Sequence, residues 1–406
     1  GNEWHGSGGP ITVQQVDTRR LMADELRASA ALAGYPYNPD YDGASNEGCA
    51  DVQIAIRKGE RCGSAAAYLD PVRRRRNLRI VKHALVNRVT FAGNRATGVE
   101  FEQNGQLRRA RAAREVILAG GAYGSPQLLM LSGIGPVEEL ARHGITVVHA
   151  APGVGRNLQE HVRLAHQYRA SAPHSFADEL RFDRATISFL QWFLLRSGKF
   201  ANQIAAGCIL ARSKPGLDRP DLQIMSSPVR VDANIWFPGI RQAPGDCFFN
   251  SICLLRPESR GSVTLQDANP RSAPKIALGL LSHDNDWATL KKGLAISRRI
   301  FSEGPIAQYV VEETLPGTAI DDDAALDAMK ADLAGVVHHP VGTCAMGAGQ
   351  DAVLDPQLRV RGVEGLRVAD ASIMPRLVGA NTNAAAVMIG EKAADLILGN
   401  TIAETV

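Results

Sequence analysis

Residues 114–135, REVILAGGAYGSPQLLMLSGIG, constrain the fold more than any other stretch. The apolar run Val116-Ile117-Leu118 ends in a glycine pair and reads as a buried strand. Ser125 is a good N-cap residue, Pro126 suits the first helical position and Gly133 supplies a stop, so a helix is expected from Pro126. A buried strand passing through glycines into a helix is the repeating unit of a layered α/β domain.

The flanking sequence is read against that unit. Residues 15–34 carry a helical pattern closed by Gly34. From Asn77 the pattern changes to short strands, LRIVKHA, LVNRVTF, TGVEF and LRRARAA, with turn pairs at Gly93-Asn94 and Asn104-Gly105. Between residues 160 and 280, DLQIMSS, DCFFNSICLLR and GSVTL alternate, which predicts an antiparallel sheet with one face covered. Helices are expected near 286–302 and 323–334, then a short strand LRVAD, a loop, and a last helix from about Ala384. The fold class is mixed α/β, and the chain divides at 1–76, 77–160, 161–335 and 336–406. The first segment leads from the substrate side into a nucleotide-binding domain, part of which is 77–160. Residues 161–335 are mainly the antiparallel block, and 336–406 return to the first domain.

Composition removes several functions. The net charge of +3 over 406 residues is small, and the run Arg73-Arg74-Arg75-Arg76 lacks interleaved aromatics, so it reads as solvated surface and no nucleic-acid partner is expected. The six cysteines form no CxxC pair and no zinc spacing. They read as mostly buried thiols of a reducing compartment, with one disulfide left open, and a cytoplasmic location is expected. No apolar run reaches the roughly 18 residues of a membrane span. No signal peptide is visible, although the opening GNEWHGSGGPITV looks like the middle of a protein.

A nucleotide-binding domain should carry GxGxxG where its first strand meets its first helix. GxG occurs at Gly133, at Gly153 and near Gly347, each better read as a turn. Either the chain binds no dinucleotide or the cradle lies in sequence outside it.

Gly121–Gly135 decides between these, because all fifteen positions resemble a signature of the glucose–methanol–choline (GMC) oxidoreductases, a family of FAD enzymes. PGVGRNLQEH (152–161), LLRPESRGSVTL (254–265), HPVGT (339–343) and DASIMP…NTN (370–383) resemble further segments of that family, with Glu160 where aspartate is usual. The resemblance covers essentially all 406 residues. It implies a Rossmann-like FAD-binding domain, incomplete at its N-terminus, interleaved with an antiparallel-sheet substrate domain. The family's first strand and GxGxxG would precede Gly1, so the expected partners are an N-terminal FAD-binding segment of the same enzyme and a small-molecule alcohol.

The chemistry gathers at VVHHPVGTCAMG (336–347). Oxidising an alcohol through a flavin requires a base for the hydroxyl proton, and a neutral imidazole suits that near pH 7, typically contributing about 10²–10⁴-fold. Pro340 restricts the residue before it, and Gly342-Thr343 permits a tight turn. The resemblance implies that His339 is the base, leaving His338 as a packed or hydrogen-bonded structural histidine. No carboxylate or cysteine cluster completes a metal site. The resemblance further implies that Asn381 is the second active-site residue, its amide holding the substrate oxygen. Thr382 and Asn383 would lie against the cofactor at the amino end of the last helix, whose dipole favours negative charge. Simple capping is the alternative for both asparagines. An extended NTN segment would send both to one face. Val86 matches the position whose backbone meets the adenine, and Asp370-Ala371 match the pair near the ribityl and pyrophosphate.

The leading expectation is FAD-dependent oxidation of a primary alcohol to an aldehyde. The alternatives are an FAD-containing lyase acting on cyanohydrins and a noncatalytic fragment that needs a companion chain. With aromatics at 5% no cage for a quaternary ammonium is evident, so a neutral alcohol is favoured.

Overall fold

The computed structural model describes residues 2–15, 22–171, 176–201, 205–230 and 232–399. By its internal contacts the chain forms two interleaved units, one of residues 1–78, 162–255 and 287–335, the other of residues 79–161, 256–286 and 336–406. Residues 256–286, assigned from the sequence to the 161–335 segment, therefore fall in the second unit.

The first unit is built on a largely antiparallel sheet. Its strands run in the order Val310–Leu315, Val162–Ala170, Cys247–Leu254, Leu222–Ser227, Gly207–Ala211 and Gly48–Ala50. Leu222, Ile224 and Ile252 are fully buried on it. The helix Asp284–Ser302 approaches closely at Gly293, where a Cβ would lie 2.5 Å from Ile252 Cγ2. Glycine inside that helix is thus a packing requirement, despite its poor helix propensity.

The second unit carries the strand–helix segment. Val116–Leu118 pairs in parallel with Leu366–Val368, and Gly121–Leu131 follows as a helix. A three-stranded antiparallel sheet precedes it, Ala84–Ala92, Arg95–Gln103 and Gln106–Arg111. Asn104 and Gly105 have φ of 52° and 74°, the tight turn that their sequence predicts. The core of this unit includes Leu129, Met130, Ile134 and Leu140, all at most 1% exposed.

Several expectations are corrected. Residues 78–83 of LRIVKHA form no strand; they are exposed, and His83 has φ +53°, which breaks the extended run before Ala84. The first helix is Ala23–Leu32, Gln15 belongs to a strand, and residues 16–21 of the expected helix lie outside the described residues. GSVTL does not join the large sheet but pairs with Lys275–Ala277 as a separate ribbon. The helix expected near 323–334 is two short ones, Asp323–Ala328 and Lys330–Leu333. Ser125 is not an N-cap, because the helix already starts at Gly121 and Pro126 lies inside it. Proline's preference for the first turn misled here; its missing N–H is compensated from another segment, as shown below.

All six cysteines are buried and none is in a disulfide, and Arg73 to Arg76 are exposed. Among the described residues no helix is long and apolar enough to cross a membrane, and no group of three metal-ligating side chains occurs.

Candidate active site

The histidine segment is clamped by other stretches of its own unit. Gln159 and Val341 exchange backbone hydrogen bonds of 3.0 and 2.9 Å. Gly342, at φ +95°, lies so close to residue 157 that a Cβ would sit 2.4 Å from the Asn157 carbonyl oxygen. Only glycine tolerates both conditions. The Asn157 amide donates to Gly342 O at 3.3 Å and to Pro375 O at 3.2 Å. Gln159 Nε2 also donates to Pro375 O at 3.2 Å, and its Oε1 accepts from Leu377 N at 3.1 Å. The same two residues, Asn157 and Gln159, thus fix the histidine segment and the chain leading to Asn381.

Thr343 adds the contact that explains Pro126. A helical Ala122 carbonyl would normally accept from the N–H of residue 126, which proline lacks. Thr343 Oγ1 donates to that carbonyl instead, at 2.7 Å.

His338 has φ +64°, a left-handed turn that separates its direction from that of His339. It is exposed, so of the two structural readings, packed or hydrogen-bonded, the packed one is corrected. His339 is half-buried. Its backbone N–H donates to Glu160 Oε1 at 2.6 Å, and its Nδ1 lies 3.0 Å from Nδ1 of His161. Burial, and then the neighbouring His338, hold the His339 pKa below the ordinary histidine value. A neutral imidazole at neutral pH is the result. Glu160 is 3% exposed, and burial pushes its pKa up against the opposing hydrogen bond from the His339 amide.

The sequence assigned no role to Glu160, His161 or the Thr343 hydroxyl. Glu160 and His161 were visible only as the tail of a family-like segment. Their partnership with His339 depends on the Gln159–Val341 pairing, between positions 182 residues apart, for which one sequence carries no signal.

Asn381 occupies the N-cap position of the helix Thr382–Leu398, is exposed, and makes no side-chain capping bond. Thr382 is half-buried and Asn383 is exposed on the first turn. The helix begins two residues earlier than expected. NTN is therefore not extended, strand alternation does not put the two asparagines on one face, and Asn383 is not the cap.

Asp370 follows the strand Leu366–Val368, where Ala369 N still bonds to Leu118 O at 2.8 Å. Its carboxylate accepts from Gly121 N at 3.0 Å, Ser125 Oγ at 2.5 Å and Ser372 N at 2.8 Å. Ala371 opens a short 3₁₀ turn. Val86 lies at a bulge in its strand pairing, and the next residue, Asn87, has a buried Oδ1 with no hydrogen-bond partner. Val86 also lines a cavity of about 520 Å³ with Val99, Ala112, Leu118, Gly120 and Leu128. A largely apolar slot of that size suits a flat ring. The uncapped helix at Asn381 suits an anionic or polar acceptor. These residues fit FAD.

Family models of the GMC oxidoreductases match residues 4–163 and 257–390. The chain is 38% identical to the oxygen-dependent choline dehydrogenase of Brucella suis biovar 1 (strain 1330), over 98% of this chain and 72% of that protein. The chain belongs to the GMC oxidoreductase family. A second relative, the oxygen-dependent choline dehydrogenase of Stenotrophomonas maltophilia (strain R551-3), is 39% identical over 98% of this chain and 71% of its own. Among solved structures, formate oxidase of Aspergillus oryzae RIB40 superposes with a TM-score of 0.89 at 26% identity, covering 97% of this chain and 73% of that one. Pyridoxine 4-oxidase from Mesorbium loti gives 0.83 at 28% identity, covering 98% and 74%. The fold is the FAD-binding GMC fold, the cofactor is FAD, and the chain is an oxidoreductase of the alcohol oxidase or dehydrogenase type acting on CH–OH donors. The relatives align along nearly the whole chain, which spans 72% of the Brucella protein's own length.

Proposed function

We propose that this GMC oxidoreductase converts a primary alcohol to an aldehyde, with His339 as the base and Asn381 as the group that holds the substrate oxygen. The observation that carries this reading is the state of His339: half-buried, its pKa lowered, its backbone tied to Glu160 and one ring nitrogen turned toward His161. The other nitrogen, Nε2, is left for the hydroxyl proton. The Asn381 amide, uncommitted to its helix, can donate to the alcohol oxygen as negative charge develops there. FAD, when bound, supplies the two-electron acceptor for the carbon-bound hydrogen. Val86, Asp370, Ala371, Thr382 and Asn383 would hold it: Val86 at the adenine slot, Asp370 and Ala371 at the strand end, and Thr382 and Asn383 at the helix start.

The relatives named as choline dehydrogenases place choline in the substrate panel beside neutral primary alcohols. The test is anaerobic mixing of the FAD-loaded protein with choline, a neutral aromatic alcohol and a cyanohydrin. Bleaching of the flavin by a primary alcohol, with aldehyde formed, supports the reading. Cyanide release without bleaching by any alcohol would overturn it.

A further inference from the structure

His161 and His339 face each other across one antiparallel pairing. Gln159 and Val341 exchange both backbone bonds, and two residues further along that register His161 stands opposite His339. Their Nδ1 atoms are 3.0 Å apart and their rings meet edge-on, at 83° with centroids separated by 5.2 Å. His161 is 1% exposed. Two ring nitrogens at that distance hold one proton between them, because two protons clash and none leaves two lone pairs opposed. The tautomers are therefore coupled. The ring that donates from Nδ1 has a bare Nε2, and the ring that accepts at Nδ1 carries its proton on Nε2.

We propose that His161 is the positioning residue of this site: it accepts the Nδ1–H of His339, leaves His339 Nε2 bare for the substrate, and then shares the abstracted proton. The proposal rests on the reading of His339 as the base. One proton moves from the alcohol oxygen to His339 Nε2, and one moves from His339 Nδ1 to His161 Nδ1. The pair is neutral before the transfer and carries a single positive charge after it. Among the described residues, the Glu160 carboxylate accepts the His339 amide, Tyr123 lies near Glu160, and His338 adjoins His339. A carboxylate at Glu160 stabilises the cation wherever on the pair it resides. Because the two rings interact directly, the site titrates with apparent values that belong to the pair.

The test combines ¹⁵N-histidine NMR of the protein with the pH dependence of flavin reduction in its FAD-loaded form. His161→Asn keeps an acceptor near the position of Nδ1, whereas His161→Leu removes it. The wild type should show His339 as the Nδ1–H tautomer, and His161→Asn should retain that signature and reduce flavin within about tenfold of wild type. His161→Leu should lose the signature, shift the acid limb of the pH profile and slow reduction by about 10²-fold or more. An Nε2–H tautomer of His339 in the wild type overturns the proposal, and that spectrum decides even if the leucine variant does not fold. A leucine variant with unchanged tautomer and pH profile overturns it as well. If the tautomer shifts but neither His161→Leu nor His339→Ala slows reduction, the positioning stands and the reading of His339 as the base falls.

Discussion

Thr343 donates its hydroxyl to the carbonyl of Ala122 at 2.7 Å, the carbonyl that Pro126 leaves without a helical partner. The helix and the histidine segment are each incomplete without the other at this point. Both residues are buried, Thr343 fully. Thr343→Val keeps the shape and removes the donor, so the carbonyl is left unsatisfied at a cost of about 1–3 kcal/mol. Chemical denaturation should show a lower midpoint at unchanged slope. An unshifted midpoint would mean that the bond contributes nothing.

The two asparagines should separate by function. On the role proposed for Asn381, Asn381→Ala should remove one charge-assisted hydrogen bond to the developing alkoxide, about 1.5–3 kcal/mol, or roughly one to two decades in the rate of flavin reduction. Asn383→Ala, on the first helical turn, should weaken flavin binding or shift its potential while leaving more of that rate intact. Rapid-mixing kinetics and a flavin titration on both variants check this. Loss of reduction confined to Asn383→Ala would exchange the two roles.

What was legible in the sequence followed from local signals. The turns at Asn104-Gly105 and Gly93-Asn94, the strand at Val116–Leu118, the strands within DLQIMSS and DCFFNSICLLR, and the long helix Asp284–Ser302 all carry their reasons within a dozen or so residues. Pro126 was misread because the partner that makes it tolerable inside a helix, Thr343, lies 217 positions away. The helix at Thr382 was placed two residues late because Asn383 is as good a cap type as Asn381. His339 and Asn381 were assigned through resemblance, and neither periodicity nor spacing would have chosen His339 over His338. His161 and Glu160 became meaningful only once the Gln159–Val341 pairing was visible.

The other unit contains a buried charge cluster with a definite pH signature. His166 is fully buried, with Nδ1 2.8 Å from Ser297 Oγ and Nε2 3.3 Å from Glu313. Arg298 forks onto the same carboxylate at 2.9 and 2.7 Å. Burial acts to raise the Glu313 pKa, but the hydrogen bonds from His166 and Arg298 outweigh it and hold it at about 2. An unfolded glutamate titrates at about 4.3. The folded value is depressed, so the stabilisation is complete above about 4.3 and is lost as pH falls toward 2. Glu313→Ala should cost about 3–5 kcal/mol at neutral pH by stranding Arg298, and should flatten the acid limb of a stability–pH curve. An acid limb unchanged in the variant would place the titrating group elsewhere.

The central claim is that His339, not its neighbour, takes the substrate proton. Its pKa lies below the ordinary histidine value of about 6.5, so flavin reduction in the wild type should fall only at pH below that value, as the ring protonates. The most direct measurement is the anaerobic rate of flavin reduction by a primary alcohol, followed against pH in the FAD-loaded wild type, His339→Ala and His338→Ala. The account predicts a loss of about 10²–10⁴-fold in His339→Ala with flavin still bound, the acid limb abolished, and a far smaller effect in His338→Ala. A His338→Ala variant as impaired as His339→Ala, or a His339→Ala variant that keeps the wild-type rate and acid limb, would contradict it.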